Sequence, residues 1–247
     1  MKRLYRLQDT TTADLPLVGG KAVSLGELIR AGFPVPEGFV ISTQMMGDLD
    51  MELTRAFQLL NADGATLFAV RSSANVEDTT TASCAGMHDT FLNVPGFRVE
   101  EFIVQCVASL LSPRAVKYRM ESNLAGAQMG VIVQLMVNAK AGGVMMTCDP
   151  LSGDTSKIMI EAVLGSGAGL VSGEVTPDQF VVGKTDDTIS ETIAECDGNP
   201  SITIAQVQQL KSYALKIERH FGCTQEIEWA IDPRGNIAIL QSRPIAN

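Results

Sequence analysis

The sequence predicts an α+β fold, and two observations support this prediction. Helical spacings of apolar residues and short apolar runs typical of strands are mixed along the 247 residues, without the regular strand–helix alternation of a parallel sheet. Several strand-like runs are separated only by turn residues, which is typical of antiparallel hairpins. No internal repeat or low-complexity linker divides the chain, so we predict a single unit over residues 1–247.

The first half of the chain contains both helix and strand patterns. Gly19 and Gly20 form a turn that opens a helix, and Gly32 ends this helix. The predicted strands that follow are "FVIS", "TLFAVRSS" and "TFLNV". The other predicted helices are "DLDMELTRAFQLL" and the amphipathic "VEEFIVQCVASLLS".

The second half consists mostly of strand patterns. The runs "GVIVQLMV" and "GGVMMTCDP" are predicted as two buried strands joined by a turn at Asn138–Lys140. The strands "KIMIEAVLG" and "DQFVVG" flank the glycine-rich "GSGAGLVSGE", which we interpret as a flexible loop. The longest helix, "ITIAQVQQLKSYALKIERHFG", ends at Gly222. The last hairpin joins "QEIEWAID" to "NIAILQSRP" through Pro233–Gly235.

Composition argues against several classes of protein. The net charge of −9 disfavours a nucleic-acid partner, because phosphate backbones require clustered Lys and Arg. The five cysteines form no CxxC pair, so we expect reduced thiols and a cytoplasmic protein. No secretory leader is recognisable, and no run approaches the roughly 18 apolar residues of a membrane span, so we expect no membrane association.

The last predicted hairpin carries four polar side chains that point to one face. Glu226 and Glu228 alternate with an apolar residue on the first strand, and Gln241 and Arg243 show the same alternation on the second. Paired carboxylates suit Mg²⁺, which binds one or two carboxylates together with substrate phosphates. An amphipathic surface hairpin with a cross-strand ion pair explains the same pattern, and the hairpin alone favours this second interpretation.

A second candidate site begins at the end of "TLFAVRSS". There Arg71 could clamp a phosphate, supported by backbone N–H groups of the loop through Thr81, Ser83 and Gly86. A solvated loop rich in Ser and Thr is the alternative interpretation. His88 lies beside this loop without a carboxylate at metal-ligand spacing, so the residues alone assign it no catalytic role.

Five sequence blocks occur in a fixed order: "GGKAVSLGEL…GFPVPEGFVIS", "AVRSSANVED…ASCAGMHDTFLNV", "VIVQLMV…GGVMMTCDP", "GEVTPDQFVV" and "EIEWA…LQSRPI". Together they closely resemble the nucleotide-binding domain of the pyruvate phosphate dikinase and phosphoenolpyruvate synthase family, over residues 17–244. The resemblance implies an ATP-grasp-type fold in which ATP lies between two lobes. We expect these lobes near residues 1–130 and 131–247, with the chain interwoven between them.

The resemblance also implies a transferase that uses ATP and Mg²⁺, and it implies roles for individual residues. The predicted catalytic residues are Lys21, Arg71 and Arg243. The predicted nucleotide-binding residues are Lys21, Arg71, Ser83, Ala85, Gly86, Glu226, Gln241 and Arg243. The predicted metal ligands are Glu226, Glu228 and Gln241. Arginine, lysine and Mg²⁺ suit phosphoryl transfer, because this reaction requires positioning and charge neutralisation.

The chain also departs from the family pattern. Family members carry a longer helical segment than residues 43–66 provide, so the nucleotide pocket is expected to be more open or to be completed by a partner. Their mobile loop usually contains an aromatic residue and a glutamine, where this chain has Cys84, Met87 and His88. No motif for the family's swivelling phosphohistidine domain follows the last block.

Three functions are compatible with these observations. In the first, the chain is a kinase of dikinase type that passes a phosphoryl or pyrophosphoryl group to a histidine on a separate partner protein, with AMP and phosphate as products. In the second, it phosphorylates a small molecule directly, with His88 as general base. In the third, it is a nucleotide-binding regulatory subunit without catalysis. The sequence favours them in this order.

Overall fold

The computed structural model describes residues 4–44, 50–60, 62–75, 89–113, 115–117, 128–171, 173–186, 188–194 and 200–245. The chain divides into two compact units, Met1–Met136 (unit 1) and Val137–Asn247 (unit 2). Each unit contains its own antiparallel sheet together with helices, so the predicted α+β class is confirmed. The expectation of one interwoven unit with lobes near 1–130 and 131–247 stays a prediction.

Unit 1 is built on a five-stranded sheet with the strand order β1-β2-β5-β3-β4. Its strands are β1 (Leu4–Arg6), β2 (Gly38–Ile41), β3 (Leu67–Ala74), β4 (Thr90–Pro95) and β5 (Met129–Leu135). Its helices are α1 (Gly20–Arg30), α2 (Asp50–Leu59) and α3 (Val99–Ala108), and a helical turn covers Leu15–Val18. Short 3₁₀ segments lie at Leu7–Asp9, Thr12–Asp14, Gly96–Arg98 and Ser109–Leu111.

Both faces of this sheet are covered because its strands bury side chains on alternate sides. The first core, which includes Phe39 and Phe68, lies between one face and helices α2 and α3. The second core, which includes Val40 and Ile132, lies between the other face and helix α1. Each fully buried Phe, Leu or Ile in such cores contributes about 1.5–3 kcal/mol to stability. Helix α1 therefore has a fixed position on the sheet.

Unit 2 is built on a six-stranded sheet with the strand order β11-β10-β6-β7-β8-β9. The strands on one side of its centre are β6 (Ala141–Met146), β10 (Gln225–Ile231) and β11 (Ile237–Pro244). The others are β7 (Lys157–Leu164), β8 (Asp178–Gly183) and β9 (Ile189–Thr192). The long helix is α4 (Ile204–Phe221), and a short helical segment lies at Ala168–Val171.

The two faces of the second sheet differ in burial. Helix α4 begins with a capping box at Thr203, ends at Gly222 with φ 70°, as predicted, and contacts β7 and β10. The side chains on the helix-covered face are buried, as for Trp229 in β10. On the opposite face, Glu226 and Glu228 are only half-buried. We call this second side the open face of unit 2.

One strand pairing differs from the prediction. The runs around Met129–Leu135 and Ala141–Met146 are strands, as predicted, but they do not pair with each other across Asn138–Lys140. Strand β5 pairs with β2 and β3 in unit 1, whereas β6 pairs with β7 and β10 in unit 2. Two apolar runs separated by a turn have the same local pattern whether they pair with each other or with other strands. The long-range partners of each strand decide which pairing forms.

Three short elements were not predicted. Strand β1 has three residues and β9 has four mostly exposed ones, so neither shows a clear period. The glycine-rich run predicted as a flexible loop contains the helical segment Ala168–Val171. A Cβ atom at Gly142 would lie 2.9 Å from the backbone nitrogen of Gly167, so the missing side chain lets this segment lie close to β6.

Within the described part of the chain, no helix has the length and apolar character needed to cross a membrane. Cys106, Cys148 and Cys223 are free thiols. Burial raises the pKa of the Cys148 thiol, which favours its protonated form.

We expect Gly143→Ala to destabilise unit 2. A Cβ atom there would lie 1.9 Å from the carbonyl oxygen of Glu161 and 2.8 Å from Cζ2 of Trp229, so the substitution overpacks the sheet and costs about 2–3 kcal/mol. Denaturant unfolding followed by the fluorescence of Trp229, the single tryptophan, measures this change. Gly64→Ala is the control, because a Cβ atom at that position would meet nothing within 4 Å. Equal midpoints for both variants would contradict the expected clash.

Candidate functional site

The candidate site of unit 1 is the junction between helix α1 and strand β3. Gly19, which precedes the helix, has φ 81°, and a Cβ atom on it would lie 2.0 Å from the carbonyl oxygen of Ser73. The backbone N–H of Ala22 donates a hydrogen bond to Oγ of Ser73, with a distance of 3.2 Å. The positive φ and the close approach of Ser73 require glycine at position 19, and the hydrogen bond fixes the start of the helix against the end of β3.

The two predicted cations of unit 1 are carried by elements that meet at this junction. Lys21 lies in the first turn of α1, directly before Ala22. Arg71 lies two residues before Ser73 in β3 and therefore points to the same face of the sheet. Only 8% of Arg71 is exposed, although an arginine is costly to bury. The fold thus places both cations toward one end of β3.

The candidate site of unit 2 is the hairpin β10–β11. Glu226 is paired with Arg243, and Glu228 is paired with Gln241, so the four predicted side chains share one face. Nε of Arg243 donates to Oε1 of Glu226 over 3.1 Å, and a second guanidinium nitrogen donates to the same oxygen over 2.5 Å. The hairpin therefore contains a guanidinium–carboxylate row beside a carboxylate–amide row.

A β-bulge follows the second of these rows. Glu228 is paired with Gln241, but its neighbour Trp229 is paired with Ile239, so Leu240 is an extra residue in β11. Without the bulge, strict alternation would place Gln241 and Ile239 on the same face. With it, Gln241 lies on the Glu228 side while Ile239 is fully buried. The sequence did not predict this irregularity.

The carboxylate–amide row continues across the open face of unit 2. Glu228 is paired with Val144 in β6, Val144 with Glu161 in β7, and Glu161 with Gln179 in β8. Nε2 of Gln179 donates to Oε1 of Glu161 over 3.1 Å. Sequence reasoning missed Glu161, although a single carboxylate inside the apolar strand "KIMIEAVL" is a recognisable signal.

Apolar side chains lie beside these polar rows. Met146 is paired with Glu226 and with Met159, and Met159 is paired with Val181. All three apolar residues are half-buried, whereas Met145 on the opposite face is fully buried. Met145 is therefore part of the core, while Met146 belongs to the open face. This face offers a flat apolar surface next to carboxylates.

The predicted loop over the phosphates cannot be placed in this site. Ser83, Ala85, Gly86 and His88 lie within residues 76–88, outside the described residues. Their predicted roles stay predictions.

The donor set of the hairpin fits Mg²⁺ that arrives with a phosphate ligand. In the described ranges, no group of three or more His, Cys, Asp or Glu side chains has the geometry of a metal cage. Magnesium rarely uses such a cage, because it keeps water ligands and binds one or two carboxylates plus phosphate oxygens. The carboxylate of Glu228 and the amide oxygen of Gln241 supply hard oxygen donors at paired positions.

Comparison with curated proteins identifies clear relatives. The chain is 34% identical, over 310 aligned positions and 97% of its length, to a probable phosphoenolpyruvate synthase from Archaeoglobus fulgidus, of which it covers 41%. It is 34% identical over 97% of its length to a rifampicin phosphotransferase from a Streptomyces species, of which it covers 35%. It is 36% identical over 98% of its length to the prodigiosin synthesizing transferase PigC of Serratia marcescens, of which it covers 33%.

The chain thus spans less than half of the length of these relatives. Because the 310 aligned positions exceed the 247 residues of the chain, the Archaeoglobus protein also contains residues inside the aligned region that this chain lacks.

Comparison with solved structures supports the fold. PH1788 from Pyrococcus horikoshii matches 98% of the chain with a TM-score of 0.53 and 15% identity, and the chain covers 96% of it.

The sequence also matches the family described as pyruvate phosphate dikinase, AMP/ATP-binding domain, at residues 40–197 and 188–247. The family match confirms the resemblance that the sequence blocks carried, from which the ATP-grasp-type fold was predicted. The chain therefore belongs to the pyruvate phosphate dikinase AMP/ATP-binding domain family.

Proposed function

We propose that the chain is an ATP-dependent phosphotransferase that binds Mg–ATP and passes a phosphoryl or pyrophosphoryl group to a histidine of a separate partner protein. The observation that carries this proposal is the hairpin β10–β11, whose two rows combine a half-buried arginine, two half-buried carboxylates and a buried amide on one face. Membership of an AMP/ATP-binding family and relatives named as phosphoenolpyruvate synthases support it.

In this proposal, three cations act on the phosphates. Lys21 and Arg71 of unit 1 and Arg243 of unit 2 donate to phosphate oxygens and neutralise the charge that develops on the transferred group. Their positions on the first turn of a helix and on two strands restrict their movement. Fixed donors of this kind stabilise a transition state without reorganisation at the moment of reaction. Ser83, Ala85 and Gly86 are proposed to cover the phosphates.

The open face of unit 2 is proposed to hold the rest of the nucleotide. The half-buried side chains of Val144, Met146 and Met159 suit the flat apolar face of a base. The carboxylate of Glu161, oriented by Gln179, suits the hydroxyl groups of a sugar. One surface thus offers separate apolar and polar contacts for two parts of one ligand.

Glu228 and Gln241 are the residues proposed to hold Mg²⁺. The bound ion would reduce the negative charge on the phosphate oxygens that it contacts. Glu226, which the sequence also predicted as a ligand, is hydrogen-bonded to Arg243 in this structure.

The proposed acceptor is an imidazole nitrogen of the partner. This nitrogen attacks the β-phosphorus, the bond from that phosphorus to the oxygen shared with the α-phosphate breaks, and AMP leaves. Hydrolysis of the resulting pyrophosphohistidine then releases the terminal phosphate and leaves one phosphoryl group on the histidine.

Two further expectations remain predictions. The net charge predicts that the chain has no nucleic-acid partner, and the cysteines predict that it is cytoplasmic.

A small-molecule acceptor is the second candidate function. The relatives named rifampicin phosphotransferase and prodigiosin synthesizing transferase favour it, because both names refer to small molecules. A regulatory nucleotide-binding subunit is the third. It is disfavoured because a hairpin with a purely structural role would not need both the Glu226–Arg243 row and the Glu228–Gln241 row.

Analysis of nucleotide products separates these functions. The purified chain is incubated with Mg–ATP and with either the protein or the metabolite fraction of an extract of its source. AMP that forms only with the protein fraction would support the partner histidine. Turnover with metabolites alone would contradict it and favour a small-molecule kinase. No turnover with either fraction would leave a regulatory nucleotide-binding role.

We expect Arg71→Ala to lower turnover by about 100-fold or more, because loss of one fixed donor to a developing oxyanion typically has this effect. Arg71→Lys should retain part of the rate, since it keeps the charge but loses the planar fork. Arg98→Ala is the control, because this arginine of unit 1 is 45% exposed at its side chain in a surface ion pair. Circular dichroism verifies folding. An unchanged rate in Arg71→Ala would exclude a catalytic role.

We expect Glu228→Gln to raise the Mg²⁺ concentration needed for half-maximal ATP binding by about tenfold, because the metal loses a charged ligand. Titration of Mg²⁺ at fixed ATP measures this shift. Glu191→Gln removes an exposed carboxylate from β9 of the same unit and should leave the titration unchanged. Equal Mg²⁺ requirements in Glu228→Gln and the native chain would contradict the metal assignment.

A further inference from the structure

We propose that Glu226 is a positioning residue for Arg243 and does not bind the metal. The hairpin would then divide two tasks between its rows, with phosphate recognition by Glu226 and Arg243 and metal binding by Glu228 and Gln241. This inference rests on the proposed function and refines it, since the sequence predicted Glu226 as a magnesium ligand.

The geometry of the Glu226–Arg243 pair indicates a positioning contact. The two residues are direct cross-strand partners, and two guanidinium nitrogens donate to the single oxygen Oε1 over 3.1 and 2.5 Å. Their side chains are only 27% and 16% exposed. An arginine side chain has several rotatable bonds, and two hydrogen bonds to one strand-borne carboxylate fix its plane. The guanidinium is therefore oriented before a ligand arrives.

The charges in the two rows favour different ligands, because only one row contains an arginine that would repel a metal ion. A divalent cation bound by Glu226 would lie beside the guanidinium of Arg243, and two positive groups at that distance repel each other. Glu228 is paired with Gln241, whose side chain is neutral. A cation bound in that row meets a carboxylate and an amide oxygen without a cross-strand positive charge. Electrostatics thus favours the second row as the metal site.

Glu226 also has an unfavourable effect on phosphate binding. Its negative charge repels phosphate and partly neutralises Arg243. A guanidinium has five N–H donors in a fixed fork, however, and the two bonds to Glu226 leave its remaining donors in a defined direction. Without Glu226, Arg243 would lose side-chain freedom when it binds phosphate, and this loss would weaken binding. The benefit of holding Arg243 in place therefore outweighs the repulsion between Glu226 and phosphate.

The first experiment measures the orientation of Arg243 without any nucleotide. In ¹⁵N-labelled chain, the Nε–H signal of Arg243, assigned by its loss in Arg243→Lys, should exchange slowly with water. Glu226→Gln should make this exchange about tenfold faster or remove the signal, because the charge-assisted hydrogen bond weakens. Exchange that is unchanged in Glu226→Gln would overturn the inference.

The second experiment is a double-mutant cycle on ATP affinity at saturating Mg²⁺. We expect Glu226→Gln to weaken ATP binding about tenfold, and to add no further loss in the Arg243→Gln background, because Glu226 acts through Arg243. Glu226→Asp, which keeps the charge, should retain part of the affinity. The Mg²⁺ requirement should stay unchanged in Glu226→Gln. Tighter ATP binding, full additivity, or an increased Mg²⁺ requirement would each overturn the inference.

Glu101→Gln is the matched control, because Glu101 also forms a two-bond ion pair with an arginine, Arg98, but on the exposed surface of α3. It should change neither ATP affinity nor the Arg243 signal. The two experiments also separate this inference from the proposed function. A native chain that fails to bind ATP contradicts the function, while the exchange of the Arg243 Nε–H still decides whether Glu226 orients the arginine.

Discussion

The cross-strand register of the β10–β11 hairpin is the constraint on which the candidate site depends. Glu226 lies opposite Arg243 and Glu228 opposite Gln241 only in this register. A slip of β10 by one residue would turn Glu226 and Glu228 toward helix α4 and would turn Trp229 outward, which the burial of that ring opposes. The apolar core beneath the hairpin therefore holds the polar rows in place, and packing on one face determines chemistry on the other.

Unit 1 uses a different device to position its cations. There the fixed element is a helix, and its start is held to β3 by a hydrogen bond to Ser73 and by the close approach of Gly19. Burial of Arg71 beside this junction costs free energy unless the guanidinium is compensated by partners or by a ligand. The predicted phosphate-binding cations of the two units thus have different structural supports. In unit 1 the support is the contact between the start of helix α1 and Ser73, and in unit 2 it is the carboxylate of Glu226.

The sequence predicted those parts of the site that depend on local spacing. Alternation alone placed Glu226 and Glu228 on one face, and the glycine at position 222 marked the end of α4. The position of Glu161 in line with Glu228 depends instead on strands β6 and β7 lying side by side next to β10, which no local pattern specifies. The same limitation explains why β5 and β6 were predicted to be neighbours. The bulge at Leu240 was missed because it changes the register without changing the composition.

The position of β11 at an edge of its sheet has a consequence for aggregation. An edge strand exposes a row of backbone N–H and C=O groups that another chain can pair with. In β11 the bulge interrupts this row, and Pro244 at the end of the strand has no N–H to donate. The strand that carries Gln241 and Arg243 is thus also a poor template for intermolecular β-pairing, and we expect the same irregularities to oppose association of molecules through this edge.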